Sequence, residues 1–498
     1  MSLNTCIGGT LRCNEALIAG GGIILGAVEL PLCRIHRGLL TFDPWRRMIA
    51  SSNPLNGEIG MRRSSSAFGS IAAVVVLLSS MPRCGMADEK NAAETTPPGP
   101  DQTNAADHFG LVEASGLRWR HLSSRHGDLP VPGESTQQTG CIVADLDKDG
   151  LNDFVLSFRQ KAPALVWYRR TKASWDRYVI DKDYLTVEAG GAVLDIDGDG
   201  YPDLVFGADW QGGDVWWWRN PAGHYDPNIP WERHTIKKGG PHQHHDQIFG
   251  DFKGTGRPQL AFWNQQAQRV LIAHIPPEPR KAEVWPTSVL FAGQSQTKGG
   301  LYAEGVAAAD IDGDGKLDLL AGNYWFKHVE GNTFKPIKFA SFGGRVAVGR
   351  LIKNSKHPQI VINSGDGIGP LTWYECRGNP EDPAAWIGHE LVPRMIHGHS
   401  LQIADIDGDG NLDIFAAEMA KWTESRPDPD NPQAKAWIFF GDGQGHFRQT
   451  LFSTGIGFHE ARVADLNGDG CLDILDKPYN WDSPRIDVWL QAAAAQGP

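Results

Sequence analysis

Asp195-Ile-Asp-Gly-Asp-Gly-Tyr-Pro-Asp203 places carboxylates at positions 1, 3, 5 and 9 of a nine-residue stretch, with glycine at position 6 and apolar residues on either side. The same D-x-D-x-D-G-x-x-D pattern runs from Asp145 to Asp153, from Asp310 to Asp318 and from Asp405 to Asp413, and recurs from Asp465 to Asp473 with Asn467 at position 3. Two degenerate copies, Asp251 to Gln259 and Arg350 to Gln359, complete a series of seven at intervals of 40 to 60 residues. Four short strands with their turns occupy about 40–50 residues, so each copy fits one antiparallel blade. The fold class read from this repeat is all-β, a seven-bladed β-propeller with four-stranded blades.

Within one copy the strand order is legible. Gly305 to Ile311 reads as the first strand, followed by the acidic loop, then Leu317 to Ala321, Tyr324 to Val329 and Phe334 to Ala340. Third strands are aromatic, as in Val166-Trp167-Tyr168, Val215-Trp216-Trp217-Trp218, Thr372-Trp373-Tyr374 and Val488-Trp489-Leu490, and such residues read as core between blades. The last copy runs out after its third strand near Leu490, so Leu117 to Leu122 is expected to supply the missing outer strand and close the ring, which removes exposed edges.

The propeller is expected to span 109–491, with 492–498 as a tail. Upstream, 61–87 reads as a signal peptide: basic Arg62 and Arg63, the apolar run Ala67 to Leu78, and a small-residue cleavage site at Gly85-Met86-Ala87. Residues 88–108 read as a disordered linker, and 1–60 as a non-native upstream extension before a true start at Met61. Export to the periplasm or outside the cell follows. The 498 residues are 41% apolar and carry a net charge of -12, which excludes a nucleic-acid binder, and no apolar run is long enough to span a bilayer. Only Cys141, Cys376 and Cys471 fall in the propeller, too few for a disulfide framework.

The acidic loops present a chemistry of their own. Three carboxylates within five residues repel one another unless a cation lies between them, and oxygen ligands with a sharp glycine turn suit Ca²⁺. The expected ligands are Asp145, Asp147, Asp149 and Asp153; Asp195, Asp197, Asp199 and Asp203; Asp310, Asp312, Asp314 and Asp318; Asp405, Asp407, Asp409 and Asp413; and Asp465, Asn467, Asp469 and Asp473. Five structural Ca²⁺ ions on one face would offset most of the negative charge.

On the opposite face, the starts of first strands approach the propeller axis. Six residues before each loop stand His245, Glu304, His399 and His459; five before, Asp246 and Glu460; seven before, Glu188 and His244; eight before, Tyr302 and His397; Arg345 enters at the matching place in the fifth copy. Ends of second strands and the loops after them add Asp209, Trp210, Asn264, Asn323, Trp325, Asp366, Glu418, Trp422, Lys477, Tyr479 and Trp481. A funnel of imidazoles, carboxylates and aromatic faces suits a sugar. The candidate catalytic residues are His244, His245, Arg345, His397, His399 and Tyr479. Candidate substrate contacts are Glu188, Trp210, Tyr302, Trp325, Asp366, Glu418 and Trp481, and His245, Glu304, His399 and His459 could hold one further divalent cation.

The D-x-D-x-D-G-x-x-D loops between strands resemble those of FG-GAP/VCBS repeat propellers. More narrowly, His242-Gln-His-His-Asp246, Glu304-Gly305, Gly343-Gly-Arg345 and His397-Gly-His399, each ahead of a repeat, resemble the propeller part of aldos-2-ulose dehydratase-like proteins, which eliminate water from ketosugars; this chain has no room for their cupin-type domains. Propeller-fold polysaccharide lyases likewise use His, Tyr and Arg near a cation. These resemblances imply a metal-assisted carbohydrate lyase or dehydratase, in which Arg345 adds positive charge and His397 or Tyr479 moves protons. The alternative is a non-catalytic glycan- or protein-binding propeller of the adhesion type.

Overall fold

The computed structural model describes residues 12–19, 22–29, 111–293 and 304–492. The signal peptide, the linker, Tyr302 and the tail beyond residue 492 lie outside the described residues. In the upstream unit, Arg12–Ala19 and Gly22–Glu29 pair as an antiparallel hairpin, where the sequence offered no periodicity.

The remainder is the seven-bladed propeller. Blades 1 to 6 are four-stranded antiparallel sheets with their strands in chain order, over 138–181, 192–237, 247–292, 306–338, 346–396 and 400–454. Blade 7 takes Arg462–Ala464, Asp473–Asp476 and Asp487–Gln491 from the end of the propeller and Leu117–Ser123 from its start, which pairs with Asp487–Gln491 as expected. A fifth strand, Leu111–Ala114, adds to that outer edge, which the sequence reading did not foresee.

The acidic loops make the first turn of each blade and explain its register. In all five full copies the position-1 carboxylate accepts from the N–H of the position-6 glycine, at 3.0 Å for Asp145 and 2.9 Å for the others. That glycine is left-handed each time, φ +84° to +92°, where a side chain would be strained. The position-9 carboxylate reaches further. Asp153 accepts from Leu146 N–H in its own loop and from Arg170 N–H at the end of the third strand, and Asp203, Asp318, Asp413 and Asp473 repeat this staple. In degenerate blade 3 Asp251 still accepts from Gly256 N–H, and in blade 5 Gln359 accepts from Ile352 N–H. The turn therefore survives where the acidic pattern does not.

The core lies between blades. Trp119, Trp167, Trp217, Trp218 and Trp325 are fully buried, and clusters of aliphatic and aromatic side chains join each blade to the next. Cys141, Cys376 and Cys471 are free thiols.

Candidate functional site

First strands begin on the face away from the acidic loops, and there three blades deliver one group. His245 (blade 3), Glu304 (blade 4) and His399 (blade 6) are all buried, and one ligand atom from each lies within 4.8 Å of the others. His399 Nε2 is 3.3 Å from Glu304 Oε2. Glu304 Oε2 is buried without a hydrogen-bond partner, which is costly for a polar atom unless something is meant to meet it. Two imidazoles and a carboxylate form a donor set that suits Zn²⁺ or a similar divalent ion.

Behind the donors stands a second layer. His245 Nδ1 lies 2.5 Å from Asp246 Oδ2, which turns its Nε2 toward the group. Asp246 also accepts from the N–H of Gly305, next to Glu304, at 2.8 Å. Arg345 joins Asp246 Oδ1 at 2.9 Å and Glu460 Oε1 through its other nitrogen, and Glu460 Oε1 is 3.5 Å from His399 Nδ1. Both histidines are thus backed by a carboxylate, and one guanidinium links the two carboxylates. Burial opposes charge on His245, but Asp246, Glu304 and Glu188 override it and lift its pKa to about 10. Burial likewise works against Asp246 and Glu460, yet Arg345 leads the charges that hold Asp246 well below the usual range and Glu460 at about 2.

Five residues stand elsewhere than expected. Arg345 is committed to two carboxylates beneath the donors, so it positions them and does not face a substrate. His244 points away: its Nδ1 bonds Trp263 O at 3.1 Å, Asn264 Nδ2 lies 3.5 Å from its Nε2, and burial pushes its pKa down to about 3. His459 stands outside the three-donor group. It stacks on His399 with ring centroids 4.5 Å apart, donates from Nδ1 to Gln138 O, and is held well below its usual pKa by burial and by Lys477. Trp325 and Glu418 are structural: Trp325 is wholly buried against Trp386, and Glu418 accepts from Ile396 N–H, Lys435 N–H and Asn431 Nδ2.

The funnel side of the group is bordered by Asp366, whose Oδ1 is 3.7 Å from both His399 Nε2 and Lys421 Nζ and whose side chain is 34% exposed. Burial opposes its charge, but Lys421 and the funnel histidines hold its pKa at about 2. His397 donates from Nδ1 to Asp366 O at 2.7 Å and places Nε2 3.4 Å from Asp430. Tyr479 packs on His459. Glu188 holds Arg159, which also reaches Asp209 Oδ2 at 3.1 Å. Trp210 is exposed at the rim and Trp481 is partly buried.

Arg159 and Lys421 are the functional candidates that the sequence reading missed. Arg159 was within reach, because Arg159, Asp209 and Tyr479 all stand six residues after the ninth loop position of their blades. Lys421 comes from the long loop of blade 6, which no repeat position marks.

On the other face, the carboxylates of Asp145, Asp147 and Asp153, of Asp195, Asp197 and Asp199, of Asp310, Asp312 and Asp318, and of Asp405, Asp407 and Asp413 converge well enough to hold a cation. Burial and neighbouring acids push the position-9 carboxylates up, to about 7 for Asp153 and Asp203 and about 6 for Asp318 and Asp413, the state a bound cation would reverse. Position 3 differs between blades. Arg169 pairs with Asp147, Arg219 with Asp197 and Lys327 with Asp312, whereas Phe440 and Leu490 occupy the matching place in blades 6 and 7.

Seven in-phase blades, five of them with acidic first turns, decide the repeat type. Residues 302–348 match the FG-GAP repeat. No curated relative matches the chain. Among solved structures it is similar to an Agrocybe aegerita lectin that recognises non-reducing terminal N-acetylglucosamine (14% identity, 68% of this chain and 82% of that one, TM-score 0.41). It is also similar to the exotype rhamnogalacturonan lyase YesX (13%, 76% and 79%, TM-score 0.42) and to the V. cholerae biofilm matrix protein Bap1 (10%, 74% and 90%, TM-score 0.42). At these identities the likeness concerns the fold alone.

Proposed function

We propose that this chain is an exported, calcium-stabilised propeller that acts as a carbon–oxygen lyase or dehydratase on a carbohydrate in the funnel, assisted by a divalent ion at His245, Glu304 and His399. The observation that carries the reading is that buried three-donor group, with the unpartnered Glu304 Oε2 and a carboxylate behind each histidine. An ion held there would polarise a sugar carbonyl or carboxyl group and ease loss of the neighbouring proton.

The chain's own groups supply the remaining needs of an elimination. Asp366 borders the donors and orients what lies over them. His397 has Nδ1 committed to a backbone carbonyl, and burial lowers its pKa, so its ring is neutral and Nε2 can take up a proton. Burial pushes Tyr479 up to about 12, so its hydroxyl keeps its proton and can give it to a leaving oxygen. Arg159, Glu188 and Asp209 form a preset polar wall. The acidic loops are assigned to Ca²⁺, and 61–87 to export.

The test is metal analysis by mass spectrometry on protein produced from Met61, with a His245→Ala/His399→Ala variant beside it, followed by a screen of ketosugars and uronic-acid glycans for an unsaturated, ultraviolet-absorbing product. The reading expects calcium plus a further ion that the variant loses together with product. Full turnover by the double variant would overturn it, and glycan retained without product would favour the binding propeller.

A further inference from the structure

Trp210 and Tyr184 are 60% and 53% exposed and are the only aromatic side chains among the exposed large hydrophobic residues of the described chain. Trp210 stands in the turn after the second strand of blade 2 and Tyr184 in the segment that leads into that blade, both on the face away from the acidic loops. Val187 bridges Ala208 in antiparallel register and Asp209 N–H donates to Thr186 O at 2.7 Å, so the strand running back to Tyr184 and the turn running out to Trp210 leave the sheet side by side.

The turn that carries Trp210 is rigid. Asp209 O accepts from Gly212 N–H and Gln243 N–H, Asp209 Oδ1 accepts from Gln211 N–H at 2.7 Å, and Trp210 O is 3.1 Å from His242 Nδ1. The same Asp209 carboxylate binds Arg159, whose charge acts on Tyr479 and Asp366 across the funnel, so the aromatic pair is continuous with the polar wall beside the donor group. Aromatic faces beside fixed hydrogen-bonding groups match a pyranose ring, whose C–H face is apolar and whose edge is hydroxylated.

We infer that Tyr184 and Trp210 form a second sugar subsite, beside the wall of Asp209 and Arg159, and that the ligand is an oligosaccharide or polysaccharide and not a free monosaccharide. This rests on the reading of the funnel as a carbohydrate site. The inference is tested by calorimetry with two homologous series, glucose and galacturonic-acid oligosaccharides of one to six units, on wild type, Trp210→Ala, and Tyr184→Ala/Trp210→Ala, with metal content measured in each. The expected result is wild-type affinity that rises at least tenfold from one unit to two or three in one series, and a double variant that binds every length as weakly as the single unit while keeping its metal. Length dependence that survives the double substitution overturns the subsite, as does a wild type that binds one unit as tightly as six, or that retains its metal and binds neither series. Failure of the funnel reading shows separately, as absence of the non-calcium ion or as turnover that ignores the His245→Ala/His399→Ala change.

Discussion

Arg345 Nη2 lies 2.9 Å from Asp246 Oδ1, and the same guanidinium bonds Glu460, so one side chain from blade 5 ties together the carboxylates behind His245 and His399. Because Asp246 also holds the backbone beside Glu304, all three donors depend on that hub. Arg345→Met would leave two buried carboxylates without their counter-charge, a change that costs about 3–5 kcal/mol when a buried pair is broken. We expect a lower melting temperature and a loss of ten-fold or more in affinity for the funnel ion. Competition with a chromogenic chelator reads the affinity, and calorimetric melting reads the stability.

His244 gives the complementary expectation. Its ring is fully buried against backbone carbonyls, so His244→Ala should cost about 1–3 kcal/mol of stability and leave the non-calcium ion in place. His245→Ala should lose the ion. Metal analysis on the two adjacent variants separates a holding residue from a donor.

The acidic loops should fall into two classes. Where Arg169, Arg219 or Lys327 already pairs with the position-3 carboxylate, a cation competes with a basic side chain; in blade 6 it meets none from the third strand, and Asp405 Oδ1 is buried without a partner. A calcium titration should show the blade 6 loop filling before those of blades 1, 2 and 4. Arg219→Ala should tighten its own site, and chelator should lower the melting temperature by several degrees. An Asp405→Ala variant whose first-filled site is unchanged would contradict this order.

Asp476, which accepts from His459 N–H at 3.0 Å, provides a pH signature. Burial, with Asp487 next, raises its pKa to about 8, so the folded chain keeps a proton that the unfolded chain releases above the ordinary carboxylate range. Its contribution is therefore full at acid pH and declines as pH rises toward about 8. Asp476→Asn should flatten the fall in denaturant midpoint between pH 5 and 8, by about 2–4 kcal/mol over the window.

The repeat made the fold legible because the acidic turn and the aromatic third strand are local signals: Asp195 to Asp203 states its own turn, and Trp217 its own burial. Even the closing strand at Leu117 followed from counting strands. In the site, counting back from each loop placed His245, Glu304 and His399 in phase, since first strands start at equal distances from the axis. Counting could not say where a ring points: His459, equally in phase, bonds Gln138 O, and His244, one place earlier, bonds Trp263 O. Arg345 was read as free positive charge because its partners, Asp246 and Glu460, lie 99 and 115 residues away in sequence. Lys421 arrives on a loop that obeys no repeat.

Leu117–Ser123 and Asp487–Gln491 bond across nearly the whole propeller, and Ile486 N–H donates to Ser124 Oγ over 362 residues of chain. During synthesis the first of these strands emerges long before the last, so blade 7 is the final sheet to be completed. His459 and Glu460 enter at the start of that blade, and the layer behind His399 stays unfinished until then. A chain that ends short of Gln491 would keep six whole sheets and still leave its outer edge open to neighbouring molecules.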